Sequence, residues 1–394
     1  MEVRQLTSGV YWVGKRDWER RMFDALIPMP SGTSYNSYLI KGKKATALVD
    51  TVNPGLEEEL RAKVEQIVPM ADIDYLIMNH AEPDHAGSIP YVLEHAPKAK
   101  LVLTAQGSKM AEALFRSSQE RMMVVKENDR IDLGGKTLRF IEAPFLHWPE
   151  TMFTYAEEDK VLMTCDFFGA HTSFGDFSKE VPDYDWIAKK YFGEIMMPFA
   201  KNGRNALEKI GRLPIDIIGP SHGPMHDDPR HIMSLYGNWT QGRTVRKVVV
   251  AYATMWQSTH LLVEAMNQAM LEEGVQVHVY DLTTSDASSL AGDLVDAEGL
   301  VLGAPTVLGG LHPLGLYAAS LIKAFKPPVK YAAVLSSYGW GGGAVKQALD
   351  ILSPTKVDVI GSIDVHGRPT DADLAKARDL GKAMAQKVMP RPTE

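Results

Sequence analysis

The chain has 394 residues, of which 45% are hydrophobic and 23% are charged, and its formal net charge is −7. This length exceeds one ordinary core, so we expect a soluble globular protein of two domains. The charges are dispersed and no basic run suits a phosphate backbone, which argues against nucleic acid as a partner. No apolar run approaches the span of a bilayer, and Met1–Gln5 is unlike a signal peptide, so we expect no membrane contact and a cytoplasmic location.

Cys165 is the only cysteine in the sequence. A single thiol excludes an intrachain disulfide, a multi-thiolate zinc site and a built-in rubredoxin or iron–sulfur module. Because strand residues alternate in direction, we expect Cys165 to turn away from its neighbour Asp166 and to pack as a small core residue.

Short strands and helices alternate in the first part of the chain. Apolar spacing predicts helices near 56–67, from about residue 89, and near 106–115. This βα alternation, interrupted by hairpins, predicts two mixed sheets packed face to face with helices outside. The expected strands are 10–13, 37–40, 46–50, 75–78, 100–104, 122–126, 136–143, a hairpin of 152–155 with 161–165, and 215–218.

Four side chains that can bind metal crowd the loop after the expected strand at 75–78, namely His80, Glu82, Asp84 and His85. Alternate residues of an extended segment point the same way, so we expect His80, Glu82 and Asp84 to project together. Buried ionisable groups are unfavourable unless they are paired or bind metal, so a structural core does not explain this cluster. The alternative is a solvated charged loop.

Three further candidate ligands, His147, Asp166 and His222, each follow an apolar strand. A lone histidine after a strand is more often structural, but the repetition of this pattern favours one shared edge of a sheet sandwich. His171 also lies near these residues in sequence and is a candidate for holding one of the ligands in place.

The pattern changes near residues 241–244, so we expect a first domain at 1–243 and a second at 244–394. The second part contains β-branched apolar runs, typical of buried parallel strands, with helices between them. Five strands in roughly 150 residues predict a doubly wound parallel sheet. The expected strands are 248–252, 275–280, 299–303, 331–336 and 356–360, and a helix at 372–388 closes the domain.

Ligands of doubly wound sheets bind at the carboxyl ends of the strands. The loop after the first strand has hydroxyls at Thr254, Ser258 and Thr259 and opens onto a helix N-terminus, which predicts a phosphate site. It has neither the dinucleotide glycine fingerprint nor a P-loop lysine, so a monophosphate is favoured over NAD or ATP. Glycines in the next two loops would let the backbone approach a flat ring beside Tyr338 or Trp340, unless they simply turn the chain.

The order H-x-E-x-D-H at 80–85, followed by Leu-His-Trp-Pro, Asp-x-Phe-Gly and Ser-His-Gly, resembles the flavodiiron proteins, whose first domain has the metallo-β-lactamase fold. Residues 32–39 and 191–198, and the Thr-Met-Trp-x-Ser-Thr of the second part, also resemble this family. The resemblance covers essentially the whole chain. It implies an α/β protein with an αββα metallo-β-lactamase-like sandwich followed by a flavodoxin-like doubly wound parallel sheet.

The resemblance implies two iron ions and FMN as cofactors. His80, Glu82 and His147 would bind the iron nearer the flavin, Asp84, His85 and His222 would bind the other, and Asp166 would bridge. Glu82 stands where zinc hydrolases of this fold carry a second histidine, and a carboxylate suits iron better. No further catalytic residue is implied. The implied FMN-binding residues are Thr254, Met255, Trp256, Gln257, Ser258, Thr259, Pro305, Thr306, Val307, Leu308, Gly309, Ser337, Tyr338, Gly339, Trp340, Gly341 and Gly342.

The implied function is an oxidoreductase that passes electrons from FMN to the diiron site. There, dioxygen would be reduced to water, nitric oxide to nitrous oxide, or both. The implied donors are a rubredoxin, a flavoprotein reductase or a reduced deazaflavin, and the implied assembly is a head-to-tail homodimer or a dimer of dimers. Two stretches depart from the family: Asp24-Ala25 stand where a His-Gly pair is expected, and Leu308-Gly309 replace a polar pair. The first bears on the choice of gas and the second on the redox potential of the flavin.

Two alternatives from other classes stay open at this point. One is a zinc-dependent hydrolase of the metallo-β-lactamase class with a regulatory second domain. The other is a non-catalytic protein that binds flavin or senses redox state.

Overall fold

The structure is a computed structural model that describes residues 3–388, so Met1 and Glu2 of the N-terminal segment considered above lie outside the described residues, as do 389–394. The chain divides into two compact units. The first comprises the residues up to Phe192 together with Phe199–Gly237, and the second comprises Gly193–Pro198 and the residues from Asn238 onward. Within the described range, no helix has both the length and the apolar character needed to cross a membrane.

The first unit is rich in short strands. In chain order they are β1 (Arg4–Thr7), β2 (Val10–Trp12), β3 (Lys15–Asp17), β4 (Met22–Phe23), β5 (Ile27–Pro28), β6 (Thr33–Tyr35), β7 (Tyr38–Lys41), β8 (Thr46–Val49), β9 (Tyr75–Ile77), β10 (Lys100–Leu103), β11 (Met122–Val124), β12 (Arg130–Asp132), β13 (Thr137–Glu142), β14 (Met152–Ala156), β15 (Val161–Cys165) and β16 (Ile217–Pro220).

Helices surround these strands. They are α1 (Glu57–Val64), α2 (Pro83–Ala86), α3 (Ile89–His95), α4 (Ala105–Phe115), α5 (Tyr184–Tyr191), α6 (Ala200–Ile210) and α7 (Pro229–Thr240), the last of which crosses the boundary between the units. Short single turns of other helix types lie at Met70–Asp72, Gln119–Arg121, Ser178–Glu180, Phe192–Met196 and Met197–Phe199.

Two mixed sheets form the centre of the first unit. One has the strand order β1-β2-β7-β8-β9-β10-β11, and the other has the order β12-β13-β14-β15-β16. In the first sheet the strands from β8 onward are parallel, whereas the earlier pairs are antiparallel. In the second sheet only the β15–β16 pair is parallel. Successive side chains of each strand point to opposite faces of its sheet.

The core lies between the two sheets. Ile40 of the first sheet and Phe140 of the second belong to one buried cluster. On the other face of the first sheet, Leu48 packs in a cluster with Val64 of α1 and Val92 of α3. Two sheets face to face with helices outside confirm the expected αββα sandwich.

The second unit is a doubly wound sheet. All its pairs are parallel in the order β18-β17-β19-β22-β23, which numbers the five sheet strands 2-1-3-4-5 and confirms the flavodoxin-like expectation. The strands are β17 (Val245–Tyr252), β18 (Gln276–Asp281), β19 (Ala297–Gly303), β20 (Thr306–Val307), β21 (Gly310–Leu311), β22 (Tyr331–Tyr338) and β23 (Asp358–His366). The helices are α8 (Ser258–Glu272), α9 (Ala287–Leu294), α10 (Pro313–Phe325), α11 (Ala344–Leu352) and α12 (Asp371–Lys387), with a short turn at Ser353–Thr355.

Several strands differ by a few residues from the sequence-based bounds, and two of these differences bear on the sites described below. The strand expected at 215–218 begins at Ile217, where it pairs with Val161 of β15. The fifth strand of the second unit, expected at 356–360, runs to His366. Beyond Ile360 its exposed polar residues alternate with partly or fully buried ones, as at the edge of a sheet, so no continuous apolar run marks it in the sequence.

Candidate functional site

Strand ends bring the seven candidate metal ligands to one edge of the sandwich. The loop after β9 carries the stretch 80–85, and His147 lies between β13 and β14. Asp166 follows β15 directly, and His222 lies two residues beyond β16. The side chains of all seven are buried or nearly buried, with at most 16% of the side chain exposed.

The first group of potential ligands consists of His80, Glu82, His147 and Asp166. Their ligand atoms all lie within 4.8 Å of one another. The Oε2 atom of Glu82 lies 2.9 Å from Nε2 of His147 and 3.2 Å from Nε2 of His80. Two imidazoles and a carboxylate therefore converge on a space that suits one cation.

The second group consists of Asp84, His85 and His222. Nε2 of His222 lies 3.1 Å from Oδ2 of Asp84, and Nε2 of His85 lies 3.4 Å from Oδ1 of the same carboxylate. Both oxygens of Asp84 are buried, yet neither accepts a hydrogen bond from the residues that the structure describes. A buried carboxylate without hydrogen bonds is unfavourable unless a cation compensates it, so this group also fits a metal ion.

Asp166 lies between the two groups. Its Oδ2 is 3.4 Å from Nε2 of His80 and 3.6 Å from Nε2 of His147. Its Oδ1 is 3.1 Å from Nε2 of His85 and 3.5 Å from Nε2 of His222. Each carboxylate oxygen thus faces one group, which is the arrangement of a carboxylate that bridges two metal ions.

Hydrogen bonds on the far side of two rings set their tautomers. Nδ1–H of His80 donates to Oε1 of Glu150 at 2.7 Å, and Nδ1–H of His222 donates to the carbonyl oxygen of Ser34 at 2.7 Å. In the neutral tautomer that carries its proton on Nδ1, each ring can offer the lone pair of its Nε2 to a cation, as histidine ligands of metalloproteins do. The sequence reasoning missed Glu150 as a functional residue. Its only signal is a carboxylate three residues after His147 in a strand-end loop.

The electrostatics of the site are those of a cation-binding pocket. Burial opposes ionisation of Asp166, but His85 and His80 outweigh it and hold the pKa of Asp166 well below its usual value. Burial also opposes the charged form of His80 and alone would lower its pKa. The hydrogen bonds of His80 to Glu150 and Glu82 outweigh burial and raise this pKa well above its usual value. Asp166 thus stays ionised in a buried site, where its carboxylate attracts positive charge.

Two sequence-based expectations about side-chain direction are wrong or incomplete. Asp84 does not project with His80 and Glu82, because Pro83–Ala86 forms a helical turn that carries Asp84 into the second group with His85. Cys165 is buried as expected, but a positive φ of 49° at this residue breaks the strand alternation, and its Sγ lies 3.9 Å from Oδ2 of Asp166. Burial raises the pKa of the thiol well above its usual value, so it is neutral and a poor ligand.

His171 borders the second group. Its ring centroid is 5.0 Å from that of His222, and its Nδ1 lies 3.1 Å from the Thr33 hydroxyl. Its Nε2 is buried and has no hydrogen-bond partner among the described residues. Phe23 packs on this ring at 4.8 Å, and the neighbouring Asp24 is exposed. The loop with Asp24-Ala25, which departs from the family pattern, therefore lies close to the second group of potential metal ligands.

The second unit contains a cavity of about 500 Å³ at the carboxyl edge of its sheet. Three loops contribute the expected flavin-site residues that line it, which are Met255, Trp256, Ser258, Pro305, Thr306, Ser337, Tyr338, Gly339 and Trp340. The Thr254 hydroxyl, in the first of these loops, is buried without a hydrogen-bond partner among the described residues. A buried, unpartnered hydroxyl beside the N-terminus of α8 fits a phosphate group.

The other expected flavin-site residues do not line this cavity, and they are Thr254, Gln257, Thr259, Val307, Leu308, Gly309, Gly341 and Gly342. Thr259 instead shares a hydrogen bond of 3.0 Å with the Ser337 hydroxyl, and Leu308 is 91% exposed with a positive φ. Gly367 and Arg368, which follow β23, line the cavity and were missed. No sequence pattern pointed to Gly367 and Arg368, because the fifth strand was expected to end at residue 360.

The fold and the site define a class of protein. An αββα sandwich with two adjacent groups of histidine and carboxylate ligands is joined to a parallel sheet of order 2-1-3-4-5. This is a metallo-β-lactamase-like metal-binding domain fused to a flavodoxin-like domain.

Comparisons with known proteins agree with this class. The family described as "ODP family beta lactamase" matches residues 33–223. The chain is 35% identical to a nitric oxide reductase of Moorella thermoacetica, over 97% of this chain and 98% of that protein. It is 34% identical to a coenzyme F420H2 oxidase of Methanothermobacter marburgensis, over 98% of each chain.

Solved structures extend this agreement to the whole fold. The rubredoxin oxygen:oxidoreductase of Desulfovibrio gigas superposes with a TM-score of 0.95 at 28% identity, covering 98% of each chain. The flavodiiron protein of Giardia intestinalis gives 0.94 at 26% identity, covering 98% of this chain and 97% of that one. The chain belongs to the flavodiiron protein family.

The chain is an oxidoreductase, since the relatives whose names give an activity are a nitric oxide reductase, a coenzyme F420H2 oxidase and a rubredoxin-oxygen oxidoreductase. The comparisons do not favour the alternative of a zinc-dependent hydrolase. They do not favour a non-catalytic sensor either.

Proposed function

We propose that the chain carries FMN and two iron ions and passes electrons from the flavin to the iron pair, where dioxygen is reduced to water or nitric oxide to nitrous oxide. The observation that carries this proposal is the placement of Asp166, whose two carboxylate oxygens face two separate ligand groups. A single zinc or a purely structural ion would not need this shared carboxylate.

The residues present fit two irons. His80, Glu82 and His147 would hold one, Asp84, His85 and His222 the other, and Asp166 would bridge them. Nitrogen and carboxylate oxygen donors suit iron. The thiol of Cys165 adds no sulfur ligand to this set, because burial keeps it neutral. His85 is included because its Nε2 lies 3.1 Å from Asp166 and 3.4 Å from Asp84. When bound, the two irons would supply electrons and adjacent open positions for a diatomic gas.

The surrounding residues hold this ligand set in place. Glu150 and the carbonyl oxygen of Ser34 orient His80 and His222, so each keeps its Nε2 lone pair directed inward. The Tyr191 hydroxyl donates to Oδ1 of Asp166 at 2.9 Å and fixes the rotation of that carboxylate. Phe23 and Trp148 pack against His171 and His80, which keeps bulk water away from the site.

The cavity of the second unit would hold FMN. Its volume of about 500 Å³ falls within the range of roughly 300–1,000 Å³ that is usual for small-molecule sites. The unpartnered Thr254 hydroxyl and the start of α8 would receive the phosphate, and Tyr338 and Trp340 would lie beside the ring. The boundary between the two functional domains is proposed at residues 243 and 244, just before β17 begins at Val245.

A head-to-tail dimer would let the flavin of one chain reach the irons of another. Large apolar side chains are exposed around the flavin cavity, with exposures of 85% for Trp256, 91% for Leu308 and 82% for Trp340. Apolar rims of this kind favour coverage by a second protein surface. A rubredoxin, a flavoprotein reductase or a reduced deazaflavin would supply electrons in the cytoplasm.

Gas consumption by the reduced protein tests this function. The purified protein is reduced under anaerobic conditions, and dioxygen and nitric oxide are then added in separate experiments. Reoxidation of the flavin absorbance together with loss of at least one gas is expected. A flavin that stays reduced while neither gas is consumed would contradict the proposal.

A further inference from the structure

The flavin cavity is lined by one more loop than the three assigned above. Gly367 and Arg368 follow β23, the last strand of the sheet, and both line the cavity. This loop has neither the hydroxyl-rich sequence of the loop after β17 nor the paired or clustered glycines of the loops after β19 and β22. Its place in the cavity depends on the full length of β23, which ends at His366.

Three contacts tie this loop to the loop after β22. His366 stacks on Tyr338 with ring centroids 5.3 Å apart and ring planes 20° from parallel. Nε2–H of His366 donates to the carbonyl oxygen of Gly339 at 2.8 Å, and the backbone N–H of Gly367 donates to the carbonyl oxygen of Tyr338 at 2.8 Å. His366 thus fixes the two residues that are expected to lie against a flat ring.

Arg368 is the cation that this loop brings to the cavity. Gly367 has a φ of +73°, a conformation that glycine adopts without strain, and Arg368 follows this turn, two residues after the stacked histidine. Within residues 3–388, no carboxylate lies within ion-pair distance of Arg368 and no hydrogen bond holds it. The two acidic residues nearest to it in sequence are Asp371, which begins α12, and Asp364, whose Oδ2 atom lies near Gly342.

The strand order separates Arg368 from the phosphate site. The phosphate loop at 254–259 follows β17, whereas Arg368 follows β23, which lies three strands away in the sheet. At about 4.8 Å between neighbouring strands, the two loops are about 14 Å apart. A ligand whose phosphate lies at Thr254 would therefore present its ring end, not its phosphate, to Arg368.

We propose that Arg368 is a binding residue for the ring end of the flavin and favours its reduced form, and that His366 positions the Tyr338–Gly339 loop against the ring. The inference rests on the proposed binding of FMN. Reduction by two electrons with uptake of one proton adds one negative charge to the ring, and a nearby guanidinium stabilises that charge. Arg368 therefore raises the reduction potential of the flavin.

The test measures flavin binding and potential in the full chain. FMN is removed and the protein is titrated with FMN and with riboflavin, and the midpoint potential of the FMN-bound protein is measured. For Arg368→Gln we expect the affinity for reduced FMN to fall about tenfold more than that for oxidised FMN, which equals a potential lower by about 30 mV. Arg368→Lys should keep most of the effect, and Lys323→Gln, which changes an exposed cation on α10 away from the cavity, should have none.

Comparison of the two flavins separates ring contact from phosphate contact. We expect Arg368→Gln to weaken FMN and riboflavin equally. An unchanged potential, or a loss of affinity for FMN alone, would overturn the assignment of Arg368 to the ring. A wild-type protein that binds neither flavin would instead overturn the proposed function.

His366 has its own variants. His366→Ala removes both the stacking on Tyr338 and the hydrogen bond to Gly339, so we expect several-fold weaker binding of both flavins and a changed midpoint potential. His366→Gln keeps an N–H donor and should recover part of the affinity. Flavin affinity and potential equal to the wild type in His366→Ala would refute the positioning role.

Discussion

The carboxylate of Glu150 accepts the Nδ1–H of His80 at 2.7 Å, on the side of the ring that faces away from the metal groups. The same Oε1 accepts the backbone N–H of Ala81 at 2.8 Å. Glu150 is only 2% exposed, so this carboxylate is a fixed part of the wall behind the site. It favours the His80 tautomer with the proton on Nδ1, and in the proposed metal site it would make Nε2 of His80 a stronger ligand.

Replacement of Glu150 therefore affects metal binding without removing a ligand. We expect Glu150→Ala to weaken iron affinity by about 10- to 100-fold, the usual effect of losing such a partner. Iron retained after dialysis against a chelator measures this loss. Glu94→Ala, at an exposed position on α3, is the matched control and should retain iron like the wild type. Equal iron retention in both variants would argue against the role of Glu150.

Asp84 provides the sharpest test of the second ligand group, because both of its buried oxygens lack hydrogen bonds within the described chain. Asp84→Asn keeps the size of the side chain and removes its charge. We expect iron to fall by about half and gas turnover to fall by at least about 100-fold, while FMN stays bound. Iron analysis, flavin absorbance and gas electrodes give the three readouts.

The control for Asp84 is Asp72→Asn, which changes an exposed aspartate in the same unit. It should leave iron, flavin and turnover unchanged. Full iron content and full turnover in Asp84→Asn would show that this carboxylate is not a ligand. Loss of FMN in the same variant would point instead to a general defect in folding.

Leu308 tests the proposed assembly. It is 91% exposed, two residues after Thr306 of the proposed flavin cavity, and burial of a leucine contributes about 1.5–3 kcal/mol. We expect Leu308→Asp to raise the dissociation constant of the dimer by at least about tenfold, measured by sedimentation equilibrium. Leu271→Asp, at a half-exposed position on α8 outside this rim, should leave self-association unchanged. A dimer that is insensitive to Leu308→Asp would place the interface elsewhere.

The buried charges of the second unit predict a pH-dependent stability. Lys247 is 2% exposed, pairs with Asp293 at 3.0 Å and also contacts Asp296. Burial raises the pKa of Asp293, but the hydroxyl of Tyr280 and the charge of Lys247 outweigh it and hold the pKa below its usual value. Ionised Asp293 therefore stabilises the folded second unit above about pH 4, where this carboxylate is also ionised in the unfolded chain. The stabilisation is lost as the pH falls through the lower pKa that Asp293 has in the folded protein.

Unfolding of the flavin-bound protein in urea measures this effect. We expect Asp293→Asn to lower the stability of the second unit at pH 7 by about 3 kcal/mol, because it leaves a buried lysine poorly compensated. The same variant should flatten the loss of stability between pH 5 and pH 3. Asp358→Asn removes a surface ion pair with Lys387 and should change stability by less than about 1 kcal/mol. A wild-type stability that is constant below pH 5 would contradict this account.

Much of the convergence of the candidate metal ligands was predictable from sequence, because each of them follows a strand. Side chains at the ends of neighbouring strands meet at one sheet edge, so the spacing of His80, His147, Asp166 and His222 already indicates convergence. The parallel sheet of the second unit was predictable for a related reason, since its β-branched runs mark buried strands.

The remaining features depend on contacts that a sequence pattern does not encode. The helical turn at Pro83–Ala86 and the positive φ of Cys165 change side-chain direction locally, and strand alternation alone gives the wrong answer at both places. Glu150 contributes through a hydrogen bond to a residue 70 positions away. Arg368 reaches the cavity only because β23 extends to His366 as an edge strand without a continuous apolar run.

The most direct test of the account is the metal content of the protein purified without added metal. The ligand set of His80, Glu82, Asp84, His85, His147, Asp166 and His222 predicts about two iron atoms per chain, bound together with one FMN. Zinc as the dominant metal, or a single metal atom per chain at full occupancy, would contradict the proposed iron pair.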